Sequence, residues 1–407
     1  MRVLALVPTE KDVNPGQRYR IEQWEPRLKA LGAEIVYSPF GSPALSEVLY
    51  RPGQKLRKAA LMLQACLRQS RAIARARRFD LVYVFREAAL LGPAFIESAI
   101  ALRGVPLVFD FDDAIFVPYV SPSNGYLSYL KCFGKTARLC RIARQVMVGN
   151  RYLEDYARRH NEAVTLVPTT IDTDLYRPEL RRPRGNGTVV IGWTGSHSTV
   201  QHLRLAYPVL QELARRYPIR VVVVGSEPVD IPGVETLFRR WSAPREVQDL
   251  ADIDLGIMPL PDNDWTRGKC GLKALQYMAL GVPAVVSPVG VNTEIVEDGV
   301  NGLVPSTDQE WAERLRRLIE NPELRARLGA AARKTVEARY SAEVIAPRVF
   351  DVFERASRSK AWREKPVPRF VAAHDDRKIE RLDLEALERG DEKGRSSCGP
   401  VWIDGGG

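Results

Sequence analysis

Residues 255–287 read LGIMPLPDNDWTRGKCGLKALQYMALGVPAVVS, and their order sets the fold class. Leu255–Leu260 is a short apolar run of strand type. A helix opens near Gly268 and Gly271 and stops at Gly281 and Pro283, where Ala284–Ser287 begins a new strand. Strand, helix and strand in that order form the unit of a parallel sheet. Gly268 and Gly271 let another molecule approach the backbone at the helix start. Free N–H groups and the macrodipole favour an anion there, and Arg267, Lys269 and Lys273 add formal charge. Lys269, Lys273 and Gln276 fall at i, i+4 and i+7, one helical face. The stretch reads as a diphosphate site with a polar amide one turn deeper. The plain alternative is a solvated basic face on a structural helix.

The alternation extends in both directions. Upstream, Val3–Pro8, Glu34–Ser38, Leu81–Phe85, Pro106–Asp110, Gln145–Gly149 and Val164–Pro168 are short, apolar and rich in valine, as buried parallel strands are. Helical stretches separate them, among them Arg18–Leu31, which ends at Gly32. Nearer the opening stretch, Val189–Trp193 and Arg220–Gly225 are further strands; downstream, Asp308–Glu320, Pro322–Arg339 and Ser341–Arg355 are helices. The fold expected is α/β, with two Rossmann-like domains facing each other across a cleft. The boundaries expected are a first domain over 1–172 and a turn-rich linker over 173–183. A second domain over 184–338 follows, then a helix over 339–357 that returns to the first domain. A charged tail over 358–407 has the composition of a disordered segment, with one helical stretch at Leu382–Arg389.

Composition bounds the function classes. The 407 residues are 45% hydrophobic and 27% charged, ordinary for a globular chain. No stretch reaches the roughly 18 apolar residues of a membrane span, and the N-terminus reads as a first strand rather than a signal peptide. These features point to a cytoplasmic protein. Cys66, Cys132, Cys140, Cys270 and Cys398 are scattered and odd in number, which fits a reducing compartment and neither a disulfide framework nor a zinc site. His197 and His202, the closest histidine pair, are badly spaced for a shared metal, and no metal is expected. The net charge of +10 calls for an anionic partner. Nine Lys and Arg and no acid lie between Arg51 and Arg78. There Leu56, Ala60, Leu63 and Leu67 fall near helical spacing. Residues 51–78 could thus lie on the anionic inner face of a membrane, or form a solvated helix packed on the sheet. Nucleic acid is not expected, since no aromatic interleaving accompanies the charge.

Gln276–Ser287, with Gly290, Glu294-Ile295-Val296, Asp298-Gly299 and Asn301–Pro305, resembles the nucleotide-sugar segment of glycosyltransferase family 4. Val167–Thr173 and Val222–Gly225 match further motifs of that family. The resemblance covers about residues 1–357. It implies a GT-B fold and a nucleotide-diphosphate sugar donor. It also implies transfer with retention, without a bound metal or other cofactor, to a saccharide or lipid-linked acceptor, as in cell-envelope or exopolysaccharide synthesis. Gly225, Ser226, Gly268, Gly271, Lys273, Gln276 and Glu294 are taken as donor-binding residues, and the helix-mouth charges of Arg267 and Lys269, in place of the Arg and Lys the family carries elsewhere, are assigned to the leaving diphosphate. The branch is divergent. The family carries two glutamates with seven residues between them, and Gly268 and Gln276 hold those positions. The first usually touches the transferred sugar and the second the donor ribose. Gln276 could serve the ribose through its amide; Gly268 has nothing to offer. The loop Gly192–Thr199 lacks the family's Arg and Lys. These losses also admit a non-catalytic nucleotide-sugar-binding or assembly protein of the same fold.

Three other groups complete the site. Thr194, Gly195 and Ser196 follow a strand and precede a helix, where α/β folds bind ligands; Ser196 and Ser198 serve equally as N-caps. Gly16 permits close approach after the first strand, and Arg18 or Arg20 could reach a phosphate or an acidic acceptor. Asp110, Asp112 and Asp113 gather at a strand's carboxyl end, where like charges repel and need a reason. By the resemblance, Asp112 and Asp113 match a His-Asp pair near the transferred sugar, and Asp112 is assigned to a sugar hydroxyl or the acceptor. One of them could instead cap a helix. An Asp-x-Asp after an apolar strand also resembles the nucleophile loop of magnesium-dependent phosphatases, but that motif belongs on a domain's first strand.

Overall fold

Valine-rich runs buried on both faces build two six-stranded parallel sheets. The computed structural model describes residues 1–49, 53–118, 130, 132–181, 187–196, 199–225 and 227–358. Ser226, His197, Ser198, residues 51 and 52 of the basic stretch, 182 and 183 of the expected linker, and the tail from 359 lie outside the described residues.

The first sheet holds β1 (Arg2–Val7), β2 (Glu34–Pro39), β3 (Leu81–Phe85), β4 (Leu107–Phe111), β5 (Gln145–Val148) and β6 (Val164–Leu166), in the order β2-β1-β3-β4-β5-β6. Alternate side chains enter opposite cores, as the pleat dictates. Leu4, Leu6, Val82 and Phe109 pack on one face; Val3, Ala5, Val7, Tyr83 and Val108 pack on the other. The second sheet holds β7 (Val189–Gly195), β8 (Ile219–Gly225), β9 (Thr236–Arg240), β10 (Leu255–Met258), β11 (Ala284–Val286) and β12 (Gly302–Leu303), in the order β12-β11-β10-β7-β8-β9. In each sheet the order reverses beside the first strand, between β1 and β3 and between β7 and β10. Ligands of open α/β sheets bind at such a reversal, off the carboxyl ends.

The last helix, Ala342–Arg358, starts where Ala342 N–H donates to Ile171 O at 2.9 Å. Ile345, Ala346, Val349, Val352, Phe353 and Ala356 form its apolar stripe and share the core of Val3, Trp24 and Tyr83.

The structure corrects several element boundaries. The expected helix Arg18–Leu31 is broken into Arg18–Glu22 and Gln23–Ala30, because Arg20 leaves helical geometry at φ −120° and ψ −114°. Strand β4 runs to Phe111, so Asp110 lies inside it and is fully buried rather than at its tip. Strands β9 and β12 are additional to those read from the sequence.

Candidate functional site

The three aspartates near the end of β4 are neutralised one by one. Asp110 accepts from Arg20 Nε at 3.0 Å and from a second Arg20 nitrogen, with Tyr83 adding its hydroxyl. Both charged side chains are fully buried. Burial pushes the Asp110 carboxyl up, against the pull of Arg20. Asp112 accepts from Arg86 Nε at 2.8 Å. Arg86 follows β3 with a left-handed φ of 60°, which turns its guanidinium across to the neighbouring strand end. Asp113 pairs with Lys269 Nζ at 2.9 Å, and this contact joins the two halves of the molecule. Gly16 closes the group: a Cβ there would sit 2.8 Å from Arg86 Nη2 and 3.1 Å from Asp112 Oδ2.

The helix mouth expected from the sequence meets this acidic tip. Asn263 and Thr266 form a capping box over Asp264–Arg267, which fixes the loop leaving β10. Asn150, from the first half, donates to Arg267 O at 3.1 Å and Lys269 O at 3.0 Å. A Cβ on Gly268 would come within 2.5 Å of the Ala114 Cβ, so no side chain fits there in this arrangement. Gly271 takes φ 70° at the head of helix Leu272–Ala279, which has no side-chain cap. Lys273, on its first turn, points over Trp193 with 5.6 Å between Nζ and the ring centre. Burial first, and then Lys269, pulls the Lys273 ammonium down from 10.5 to about 8. Among the described residues it has no carboxylate partner. His202 sits close by. It is 6% exposed, with its ring 5.6 Å from that of Trp265, while Lys269 Nζ lies 3.9 Å over the same indole. Beside Asp113 a cavity of about 140 Å³ is lined by Glu87, Ile115, Phe133, Lys135, Thr136 and Trp265 among others.

Several expected residues stand elsewhere. Arg267 turns its guanidinium onto Asp262 at 2.7 Å and is half-exposed, so its charge does not join Lys269 and Lys273. Gln276 is buried at 2% exposure, and its amide donates to Glu246 Oε1 at 3.0 Å and to the hydroxyls of Tyr19 and Tyr176. That network leaves it unable to reach a ribose in this arrangement. Arg18, Tyr19 and Trp241 donate to the same Glu246 carboxylate, so Arg18 serves an interdomain bond rather than an open phosphate site. Glu294 lies opposite Arg151 at 3.4 Å. Thr194 N–H donates to Tyr277 Oη at 3.0 Å, and Ser196 N–H to Thr199 Oγ1 at 3.1 Å. A Cβ on Gly225 would approach Gly195 O at 3.1 Å, so these two strand ends lie side by side. Ser226 lies outside the described residues. Arg20, Arg86, Asn150, His202 and Glu246 have no role in the sequence reading that matches their place here. Arg86 alone had a local signal, its position just after a buried strand. Among the described residues no group of three or more His, Cys, Asp or Glu is placed to hold a metal ion.

Comparison with known proteins gives these matches. Residues 188–321 match the family described as "Glycosyl transferases group 1". Spore coat protein SA of Bacillus subtilis is 32% identical over 317 residues, which cover 68% of this chain and 79% of that protein. A D-inositol 3-phosphate glycosyltransferase of Nocardioides is 40% identical over 88 residues, 21% of this chain and 19% of its own length. The matched segments span less than half the length of the inositol phosphate glycosyltransferases. Sucrose-phosphate synthase from Thermosynechococcus elongatus superposes with a TM-score of 0.64 at 16% identity, over 87% of this chain and 99% of that one. The Anabaena protein HepE in complex with UDP-glucose superposes with a TM-score of 0.60 at 16% identity, over 87% and 99%. At such identities the superpositions speak for the fold alone, which is GT-B.

Proposed function

The chain belongs to the group 1 glycosyl transferases, and we propose that it moves a sugar from a nucleotide-diphosphate donor to an acceptor hydroxyl in the cleft between its halves. The observation that carries this is the contact of Lys269 with Asp113, with Lys273, which has no carboxylate partner among the described residues, beside it. It puts a cationic helix mouth and a carboxylate pair within one crevice. In the reaction proposed, the bond from the anomeric carbon to the diphosphate oxygen breaks. The acceptor oxygen bonds to that carbon on the same face, and its proton passes to the departing diphosphate. Lys273 and Lys269 stabilise the charge that grows on the leaving oxygen, commonly the largest contribution to such catalysis. Asp112 and Asp113 orient sugar hydroxyls. We further place the enzyme in a divergent branch of family 4, retaining and independent of a resident metal or cofactor.

The cavity beside Asp113 is our candidate acceptor pocket. Its volume of about 140 Å³ is near that of cavities that hold one six-membered ring. Phe133 and Trp265 offer flat apolar faces, and Glu87 and Asp113 offer acceptors for hydroxyls. Lys135 pairs with Glu87 and Lys269 with Asp113, so the lining is close to neutral, and a neutral saccharide is the occupant proposed. A lipid-linked form of it suits helix Lys55–Arg75. That helix buries Ala65, Gln69 and Ala72 and turns Leu56, Leu63 and Leu67 to solvent. Spacings of 7 and 4 residues put the leucines on one face, where they would enter a leaflet whose lipids the arginines hold. Salt-sensitive pelleting with anionic vesicles, lost in Leu63→Glu, is expected; no pelleting at low salt removes the membrane contact. Among the described residues no helix is long and apolar enough to cross a membrane.

Calorimetry with UDP-, GDP-, TDP- and ADP-sugars, followed by product analysis with saccharide acceptors, tests the main reading. Binding and transfer support it, and binding of none ends it. Binding with neither hydrolysis nor transfer favours the second reading, a nucleotide-sugar-binding or assembly protein. The crowding at Gly268 and the sequestered Gln276 speak for that alternative.

A further inference from the structure

We propose that His202 is a positioning residue that donates a hydrogen bond from Nε2 to the diphosphate of the donor, an assignment that rests on the sugar-transfer reading above. Its Nε2 is wholly shielded from solvent and has no hydrogen-bond partner among the described residues. Buried polar atoms are almost always paired, so an orphan calls for an explanation, and at His202 the surroundings supply one in a bound partner. The surroundings say which kind. Lys273 lies near enough to depress the imidazole, and it too has no carboxylate partner among the described residues. Lys269 shares the Trp265 ring with His202. The first turn of helix Leu272–Ala279 presents N–H groups that no side chain caps. These are donors from two elements with one missing acceptor, and an oxyanion of high charge completes the set.

The choice of histidine has its own logic. Burial, then Lys273, then Lys269, hold the imidazole down at about 4, so it is neutral at physiological pH. The other charged group facing this cluster is Asp113, held by Lys269. A third cation would raise the repulsion among the lysines before any ligand arrived. A neutral imidazole donates without that cost.

The test compares three variants of the full chain, using inorganic pyrophosphate and a nucleoside diphosphate as probes in calorimetry. His202→Phe keeps the ring's packing and removes the orphan nitrogen. It should hold or raise Tm while affinity for both probes falls about tenfold, the loss of one hydrogen bond to a charged group. His202→Ala should lose similar affinity. His202→Gln, which offers an amide N–H, should recover to within about threefold of wild type. Wild-type affinity in His202→Phe overturns the proposal, as does a wild type that binds no pyrophosphate. The two readings separate cleanly. Pyrophosphate binding that depends on His202, with no nucleotide sugar bound, keeps the anion site and ends the transferase reading. Full transfer activity in His202→Phe does the reverse.

Discussion

The acidic tip of the first half and the cationic basin of the second obey opposite rules. Toward the end of β4 every carboxylate faces a cation: Asp110 has Arg20, Asp112 has Arg86, and Asp113 has Lys269 with Arg86 further off. In the basin, Lys273 has no carboxylate partner among the described residues and His202 Nε2 has no hydrogen-bond partner. Matched charges hold a shape, whereas unmatched ones await a ligand. The Lys269–Asp113 pair stands where the two meet. Its lysine can leave the carboxylate for a diphosphate, and its carboxylate can then turn to a sugar.

The largest effect should come from the best-matched pair. Removing one partner of a fully buried ion pair strands the other, at a cost of about 3–5 kcal/mol. Asp110→Ala should show this loss in urea unfolding, and the double change Asp110→Leu with Arg20→Met should recover most of it. If Asp110→Ala unfolds like wild type, the pair does not hold β4 in place. Asp113→Asn should come next. It keeps the shape, frees Lys269, and should lower kcat about a hundredfold while donor affinity holds or improves. A fall in affinity with kcat unchanged contradicts the role given to Asp113.

These contrasts also show what a sequence can reveal. The parallel sheets were legible because buried strands write themselves as runs such as Val221–Val224. Strand β9 escaped because it is an edge strand, Thr236–Arg240, with half-buried positions and two arginines. Strand β12 has only two residues. The break at Arg20 left no local signal, and the buried partner of its side chain, Asp110, lies 90 positions away. The acidic tip and the helix mouth were legible as separate patches through the rule that strand ends carry sites. The pairing of Arg86 and Arg20 with the acidic carboxylates was not, because pairing between residues 26 or 90 positions apart is decided by topology and leaves no local pattern. His202 drew attention only as a poor metal ligand. Its burial, which makes it interesting, is a property of the fold.

The unmatched basin gives the next effect. Lys273→Met should weaken nucleoside diphosphate binding about 10- to 100-fold and leave Tm unchanged or higher, since it removes a half-buried charge that has no carboxylate partner among the described residues. The pH dependence follows with a definite sign. In the free protein Lys273 is charged below about pH 8. Affinity should therefore be level below pH 8 and fall above it, by up to about tenfold per unit. Stability moves the other way. An ordinary lysine keeps its proton to 10.5, so the unfolded chain holds more protons between about 8 and 10.5, and folding gains from rising pH in that window. Both trends should vanish in Lys273→Met. An affinity that stays level to pH 10 in wild type removes Lys273 from the site.

The smallest effect should be at Arg267, which adjoins Gly268 as Lys269 does and yet stands apart. Its guanidinium is 46% exposed and paired with Asp262 and Asp264 on its own loop. Exposed pairs of this kind contribute little. Arg267→Ala should change nucleoside diphosphate affinity by no more than about twofold, well short of the effect at Lys273. The backbone of Arg267 matters more than its charge: its carbonyl accepts from Asn150, and Gly290 packs 2.7 Å from that oxygen by its would-be Cβ. A loss at Arg267→Ala as large as that at Lys273→Met would mean that ligand binding swings this side chain off Asp262 into the basin. The boundary between matched and unmatched charge would then have to be redrawn to include it.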